Sequence, residues 1–193
     1  MDAALVLAAL AVVVALASAA VSVLAAQRPQ VVRLAAMPLL GLSGLLALVA
    51  GLVALVAGGA VTATLPLGLP WLPWRVRLDA LSGFFLAVIG VVTVAVGLYG
   101  PAYVRALEHG HESLTALGVF TGLFLTGMLL VVLADDAFLF MVAWELMSLS
   151  SYFLVAFQHE NAANRRAAFL YLLMAHVGGL AILLGYGVLA SFG

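Results

Sequence analysis

Residues 34–74 read LAAMPLLGLSGLLALVAGLVALVAGGAVTATLPLGLPWLPW, and the fold turns on how this run is divided. Its 41 residues, between Arg33 and Arg75, contain no Asp, Glu, Lys or Arg. A helix needs about 20 apolar residues to cross a hydrocarbon core about 30 Å thick. The stretch from Leu34 to the Gly58-Gly59 pair is long enough, and Pro38 falls in its first turns, where a missing N–H costs little. The remainder carries Pro66, Pro70 and Pro73, too closely spaced for a helix. It reads as a loop with short extended strands. Trp71 and Trp74 beside Arg75 and Arg77 have the composition of a membrane–water interface.

Working outward, Asp2 to Arg28 encloses 25 residues free of Asp, Glu, Lys and Arg, and Asp79 to Arg105 another 25. Over the whole chain 67% of residues are hydrophobic and 8% charged, against about a quarter charged in a soluble domain. A soluble helical repeat would need a polar stripe on each helix, and no segment has one. The sequence therefore predicts an all-α membrane protein of six transmembrane helices. The spans fall at about Ala4 to Ala26, Leu34 to just before Gly58, Asp79 to Tyr103, Ser113 to Leu133, Ala137 to Phe157 and Ala167 to Leu189. Gly100-Pro101 argues for a kink or early stop in the third. The first is read as a retained span, because its apolar run is too long for a signal peptide and no basic residue precedes it.

The organisation expected is spans one and two in 1–59, the Pro/Trp-rich loop in 60–78, span three with a polar turn in 79–112, and spans four to six in 113–193. The loops after spans one, three and five hold Arg28, Arg33, Arg105, Arg165 and Arg166, whereas the opposite side holds Arg75 and Arg77. Arginine in excess marks the cytoplasmic side. The N-terminus and the 60–78 loop are thus expected outside the cytoplasm of a cell-membrane protein. A net charge of -1 gives no footprint for nucleic acid, and the lack of cysteine excludes thiolate metal sites, cysteine-ligated clusters and disulfides. No nucleotide or haem motif appears, so no cofactor or metal is assigned. Glu108-His109-Gly110-His111-Glu112 reads as a solvated turn rather than a metal site.

Most charges sit in turns, and two ionisable groups do not. Glu145 lies nine residues past Asp136, about 13 Å along a helix rising 1.5 Å per residue. His176 lies ten residues past Arg166, about 15 Å in. Consecutive spans run antiparallel, so both groups reach about the same depth from opposite sides. A carboxylate there costs about 3 kcal/mol unless it is paired, hydrated or protonated, and such residues usually mark ion or proton paths. The structural alternative for Glu145 is a protonated carboxyl donating to a neighbouring helix; for His176 it is a neutral imidazole bonded to backbone. Ser148 and Tyr152, at i+3 and i+7, share the Glu145 face, with Ser151 close by, and their hydroxyls suit water or proton transfer. Gly118, Gly122, Gly127, Gly178 and Gly179 read as close-packing positions. Asp135-Asp136 marks a span boundary, the second acid favoured by the dipole of the helix it precedes.

The blocks Leu133-Ala134-Asp135-Asp136, Trp144-Glu145-Leu146-Met147-Ser148 and Ser151-Tyr152-Phe153-Leu154-Val155 carry a resemblance. They resemble the proton-conducting antiporter-like membrane subunits of respiratory complex I, multisubunit sodium/proton antiporters and membrane-bound hydrogenases. Asn164-Arg165-Arg166-Ala167-Ala168-Phe169-Leu170-Tyr171 is most similar to the formate hydrogenlyase subunit 3 and hydrogenase-4 component B branch. Leu78-Asp79-Ala80-Leu81-Ser82 resembles the family's N-terminal signature. The resemblance implies the N-terminal part of an antiporter-like fold, reaching the start of its first repeat in 113–193. It implies other membrane subunits as partners and redox chemistry located elsewhere, so that this chain is not catalytic alone. It also implies that Glu145 is a coupling carboxylate whose lysine partner lies on a seventh span, and this chain contains no lysine. Two other readings follow: a structural anchor or truncated fragment without transport, and a sodium/proton antiporter subunit, against which the hydrogenase-like 164–171 run counts.

Overall fold

The computed structural model describes residues 2–26, 28–107 and 113–192. The His109 and His111 turn, with Glu108 and Glu112, lies outside the described residues. Among the described residues six helices are long and apolar enough to cross a membrane: Ala3–Leu24, Val32–Ala57, Ala80–Arg105, Leu114–Leu133, Ala137–Val155 and Ala162–Ala190. They are spans one to six. The chain is a multi-pass, all-α membrane protein with one two-stranded sheet.

Short polar side chains start five of the six helices. Asp2 accepts from Ala4 N, Asp79 from Ser82 N, Ser113 from Ala116 N, Asp136 from Leu139 N and Asn161 from Ala163 N. Each occupies a donor that the helix itself leaves open. Span two is entered differently, through a single turn at Pro29–Val31 and a π-helical segment at Val32–Ala36. It closes on Gly58 at φ 67°, the left-handed conformation that favours glycine.

Two boundaries differ from expectation. Span three does not stop at Gly100-Pro101; its helix runs to Leu107. Proline clashes with the Cβ of the residue before it, and Gly100 has none, so the α conformation survives. Span six begins at Ala162, not Ala167, and takes Arg165 and Arg166 into its first turns. Hydropathy marks the part of a helix that sits in hydrocarbon. At 29 residues this helix is about 43 Å long, and its polar first turns extend past a core of about 30 Å.

The strands β1, Val61–Leu69, and β2, Leu72–Leu78, pair antiparallel with Val61 opposite Leu78 and Leu69 opposite Leu72. The pairing is irregular between Thr64 and Gly68, where Gly68 takes φ 100°. A Cβ there would sit 2.6 Å from Trp74 Cδ1, so the Trp74 ring closes over this glycine. Strand β2 is stitched to the turn between spans four and five. Val76 bridges to Ala134, Asp135 N donates to Arg75 O at 2.9 Å, and Arg75 N donates to Asp136 Oδ2 at 2.7 Å.

Small residues bring the helices together. Ala8, Ala11, Ala15, Ala47 and Ala50 are fully buried. Ser18 Oγ donates to Ala36 O at 2.8 Å and Ser43 Oγ to Ala11 O at 2.7 Å, joining spans one and two. Spans two and three meet along Gly44 and Gly90; a Cβ on Gly90 would lie 2.5 Å from Leu48 N. Span four packs on spans one and five. Span six is held chiefly by span five, and only Ala168 and Gly179 on it are buried.

Candidate functional site on the span five and six seam

Trp144-Glu145-Leu146-Met147-Ser148 forms the middle of span five. Its approach to span four is set by Gly127, where a Cβ would lie 2.7 Å from Met147 N. On the opposite side, Gly179 of span six faces Trp144 and Glu145. A Cβ added there would rest 3.4 Å from Trp144 Nε1 and 3.6 Å from Glu145 Oε1. Gly178 has nothing within 4 Å, so of the adjacent pair only Gly179 lies at the contact.

This seam brings Glu145 and His176 together. His176 is the middle residue of span six, and its Nε2 lies 3.4 Å from Glu145 Oε2. Its other ring nitrogen, Nδ1, is 2.9 Å from Leu172 O, one turn back. The equal depth inferred from the charges is thus a direct side-chain contact. Glu145 has a partner within the chain, although the resemblance places one on a seventh span. The side chains are 39% and 44% exposed, so the pair lies at the open edge of the seam.

The hydroxyls arrange themselves differently from the i, i+3, i+7 face. Ser148 is buried, and Tyr152 sets its ring edge-on to Phe153 at 5.1 Å. Among the described residues neither makes a hydrogen bond to Glu145. The hydroxyl that crosses to span six is Ser151, whose Oγ is 2.7 Å from Tyr171 Oη and 3.0 Å from Ser148 O. Sequence reasoning placed Ser151 near the site but gave Tyr171 no role. The antiparallel run offered a signal: Tyr171 lies five residues before His176 and Ser151 six after Glu145, so the two pairs occupy successive rungs. One further polar group stands out. Trp144 Nε1 is buried without a hydrogen-bond partner among the described residues.

The helix start below the site is also built. Asp136 accepts from Leu139 N at 2.7 Å, capping span five, while its second oxygen accepts from Arg75 N. Arg77 is 3.2 Å from Asp79 and 4.0 Å from Asp135. No group of three or more metal-ligating side chains occurs among the described residues.

Six spans, a two-stranded hairpin pinned over the turn before span five, and an acid–imidazole contact at mid-helix describe a multi-pass membrane protein. The family described as NADH:quinone oxidoreductase/Mrp antiporter, TM, matches residues 134–193. Hydrogenase-4 component B of Escherichia coli K12 is 38% identical over 111 residues, covering 57% of this chain and 16% of that protein. The structure of the membrane-bound sulfane sulfur reductase, an archaeal respiratory membrane complex, superposes with a TM-score of 0.70. It is 21% identical and covers 92% of this chain and 36% of that one. The Mrp complex from Dietzia sp. DQ12-45-1b gives a TM-score of 0.63 at 26% identity, covering 92% of this chain and 18% of that one. Together these likenesses support the antiporter-like membrane subunit family, with the family match itself confined to residues 134–193. The matched stretch spans less than a fifth of the length of these curated relatives.

Proposed function

We propose that this chain is the N-terminal part of a proton-translocating antiporter-like subunit of a membrane-bound hydrogenase, formate hydrogenlyase or complex I-like assembly. The observation that carries the reading is the Glu145–His176 contact at mid-span, with both side chains open on one side. Ionisable groups at that depth are costly and usually mark an ion or proton path. The likeness to hydrogenase-4 component B supports the hydrogenase branch.

In this reading Glu145 is the coupling carboxylate, and His176 is the first group with which it exchanges a proton. Ser148 lies buried beneath the pair, and Tyr152 continues the span-five face. Residues 1–112 form the flanking spans, and 113–193 open the first antiporter-like repeat. The N-terminus and the 60–78 hairpin lie outside the cytoplasm of a cell membrane, a reading that the arginine distribution supports. Neighbouring membrane subunits and lipid cover the open face of span six, and electron transfer takes place in other subunits.

The test is Glu145→Gln in the complete subunit and complex, reconstituted in vesicles. Proton pumping is expected to fall while assembly and electron transfer persist. Unchanged pumping would remove the role and leave a structural module. The likeness to the Mrp complex supports a second reading, a sodium/proton antiporter subunit. It predicts exchange that depends on sodium, whereas the leading reading predicts pumping without it.

A further inference from the structure

We infer that Glu145 and His176 hold one shared proton between them, so that the pair carries no net charge in either of its two forms. Leu172 O can only accept a hydrogen bond, so the His176 Nδ1 facing it at 2.9 Å must carry a proton. That fixes the tautomer. In the neutral ring, Nε2 then presents a lone pair to Glu145 Oε2 at 3.4 Å. A carboxylate facing that lone pair would set two acceptors against each other. One proton removes the conflict in two ways: a carboxylic acid facing a neutral imidazole, or a carboxylate facing an imidazolium.

These forms interconvert by a single proton transfer, breaking Glu145 Oε2–H and making His176 Nε2–H. Nothing is oxidised or reduced, and the pair's charge stays at zero. A second proton would leave the pair at +1, and removing the shared one would leave it at -1. Both cost more in a low-dielectric span than the neutral pair. The backbone bond thus makes His176 the group that lets Glu145 ionise at mid-span without adding net charge.

No other formal charge competes at this level among the described residues. Span four, packed on the far side of span five, has no titratable side chain. Span five adds Tyr152. Span six adds Tyr171, bonded to Ser151, and Tyr186, which packs edge-on against Phe140. Arg75, Arg77, Asp135 and Asp136 lie at the start of span five, where they bond with one another and with Asp79 and backbone. Arg165 and Arg166 lie in the first turns of span six.

This inference goes beyond the proposed transport role and is tested separately from it. The full chain, with 15N-labelled histidine, is placed in lipid bilayers, and the His176 ring is read by solid-state NMR while infrared spectroscopy reads the carboxyl. Glu145→Gln assigns the carboxyl band and His176→Gln the ring signals. Where His176→Gln does not accumulate, replacing His109, His111 and His159 with Gln leaves His176 as the sole labelled ring. Where Glu145→Gln does not, 13C labelling of glutamate moves the band instead.

Near neutral pH the pair should show one proton: the acid band with Nε2 bare, or no acid band with Nε2 protonated. Nδ1 should stay protonated in both. A bare Nε2 without the acid band, two protons on the pair, or an unprotonated Nδ1 would each overturn the inference. A one-proton pair in a subunit whose pumping survives Glu145→Gln would retire the transport reading and leave this one standing. The converse result would do the opposite.

Discussion

Asp136 Oδ2 accepts the Arg75 backbone N–H at 2.7 Å and so ties the hairpin to the first turn of the helix that carries Glu145. The other carboxylate oxygen of Asp136 caps that helix through Leu139 N, also at 2.7 Å. One side chain thus satisfies two backbone donors from different elements. Asp136→Ala loses both, and an N-cap alone is worth about 1 kcal/mol. Asp136→Asn keeps one acceptor oxygen and should retain the cap while giving up the strand. Thermal unfolding in micelles should rank wild type above Asn and Asn above Ala. Protease cleavage within the hairpin should rise in both variants. Equal cleavage in all three would show that the strand tie carries nothing.

Gly127 fixes how closely spans four and five approach. A Cβ there would sit 2.7 Å from Met147 N and 2.9 Å from Met147 Cα, both backbone atoms that cannot rotate aside. Gly127→Ala should therefore push the helices apart, at a cost of about 1–3 kcal/mol as for other overpacked contacts. Gly178→Ala is the control, because nothing lies within 4 Å of the new methyl group. In denaturant titrations the first variant should lose stability and the second should match wild type. A Gly127→Ala protein as stable as wild type would mean that the seam yields easily.

Much of this was legible in the residues, and the failures have physical causes. Charge-free runs gave five of the six spans, because few sequences keep charges out of a bilayer-length stretch for any other reason. Span five, which holds Glu145, was bounded by the polar turns on either side. Proline spacing gave an extended loop at 60–78, and paired strands occupy it. The Glu145–His176 depth match followed from helix rise and antiparallel connection alone, yet their contact did not. It depends on the rotation of span six about its axis, which turns Gly179 toward Trp144 and Glu145. The start of span six was misplaced because apolarity reports on lipid and a helix can outrun it. The resemblance directed attention to a lysine on a seventh span, whereas the structure sets an imidazole, one rung from Tyr171, against Glu145.

Asp79 gives a pH dependence outside the spans. Its carboxyl is held below the usual 3.8, first by the hydrogen bond from Ser82 N at 2.9 Å; desolvation opposes this, and the Ser82 hydroxyl, the Arg77 guanidinium and Leu81 N add to the lowering. The fold therefore favours the carboxylate. Its stabilising contribution is complete above the ordinary carboxylate range and disappears as pH falls through the lowered folded value. Asp79→Asn removes this dependence. The stability gap between wild type and Asp79→Asn should be constant near neutrality and close in acid, as read by thermal unfolding at a series of pH values. A gap that widens on acidification would reverse the sign and contradict the assignment.

Ser151 and Tyr171 form the second rung of the seam. Ser148 O can only accept, so the Ser151 hydroxyl gives its proton there at 3.0 Å and receives that of Tyr171 across 2.7 Å. Tyr171→Phe deletes only the donor, whereas Ser151→Ala deletes the acceptor that Tyr171 uses together with the Ser151 bond to Ser148 O. Interhelical hydrogen bonds in membranes average about 0.6 kcal/mol. Each single variant should lose about that much, and the double variant should lose little more than either alone. Span six is held chiefly by span five, so the loss should appear as faster hydrogen exchange in its first half, around Tyr171, with spans one to four unchanged. Additive losses in the double variant would mean that the two hydroxyls do not depend on each other, and the rung would then be packing alone.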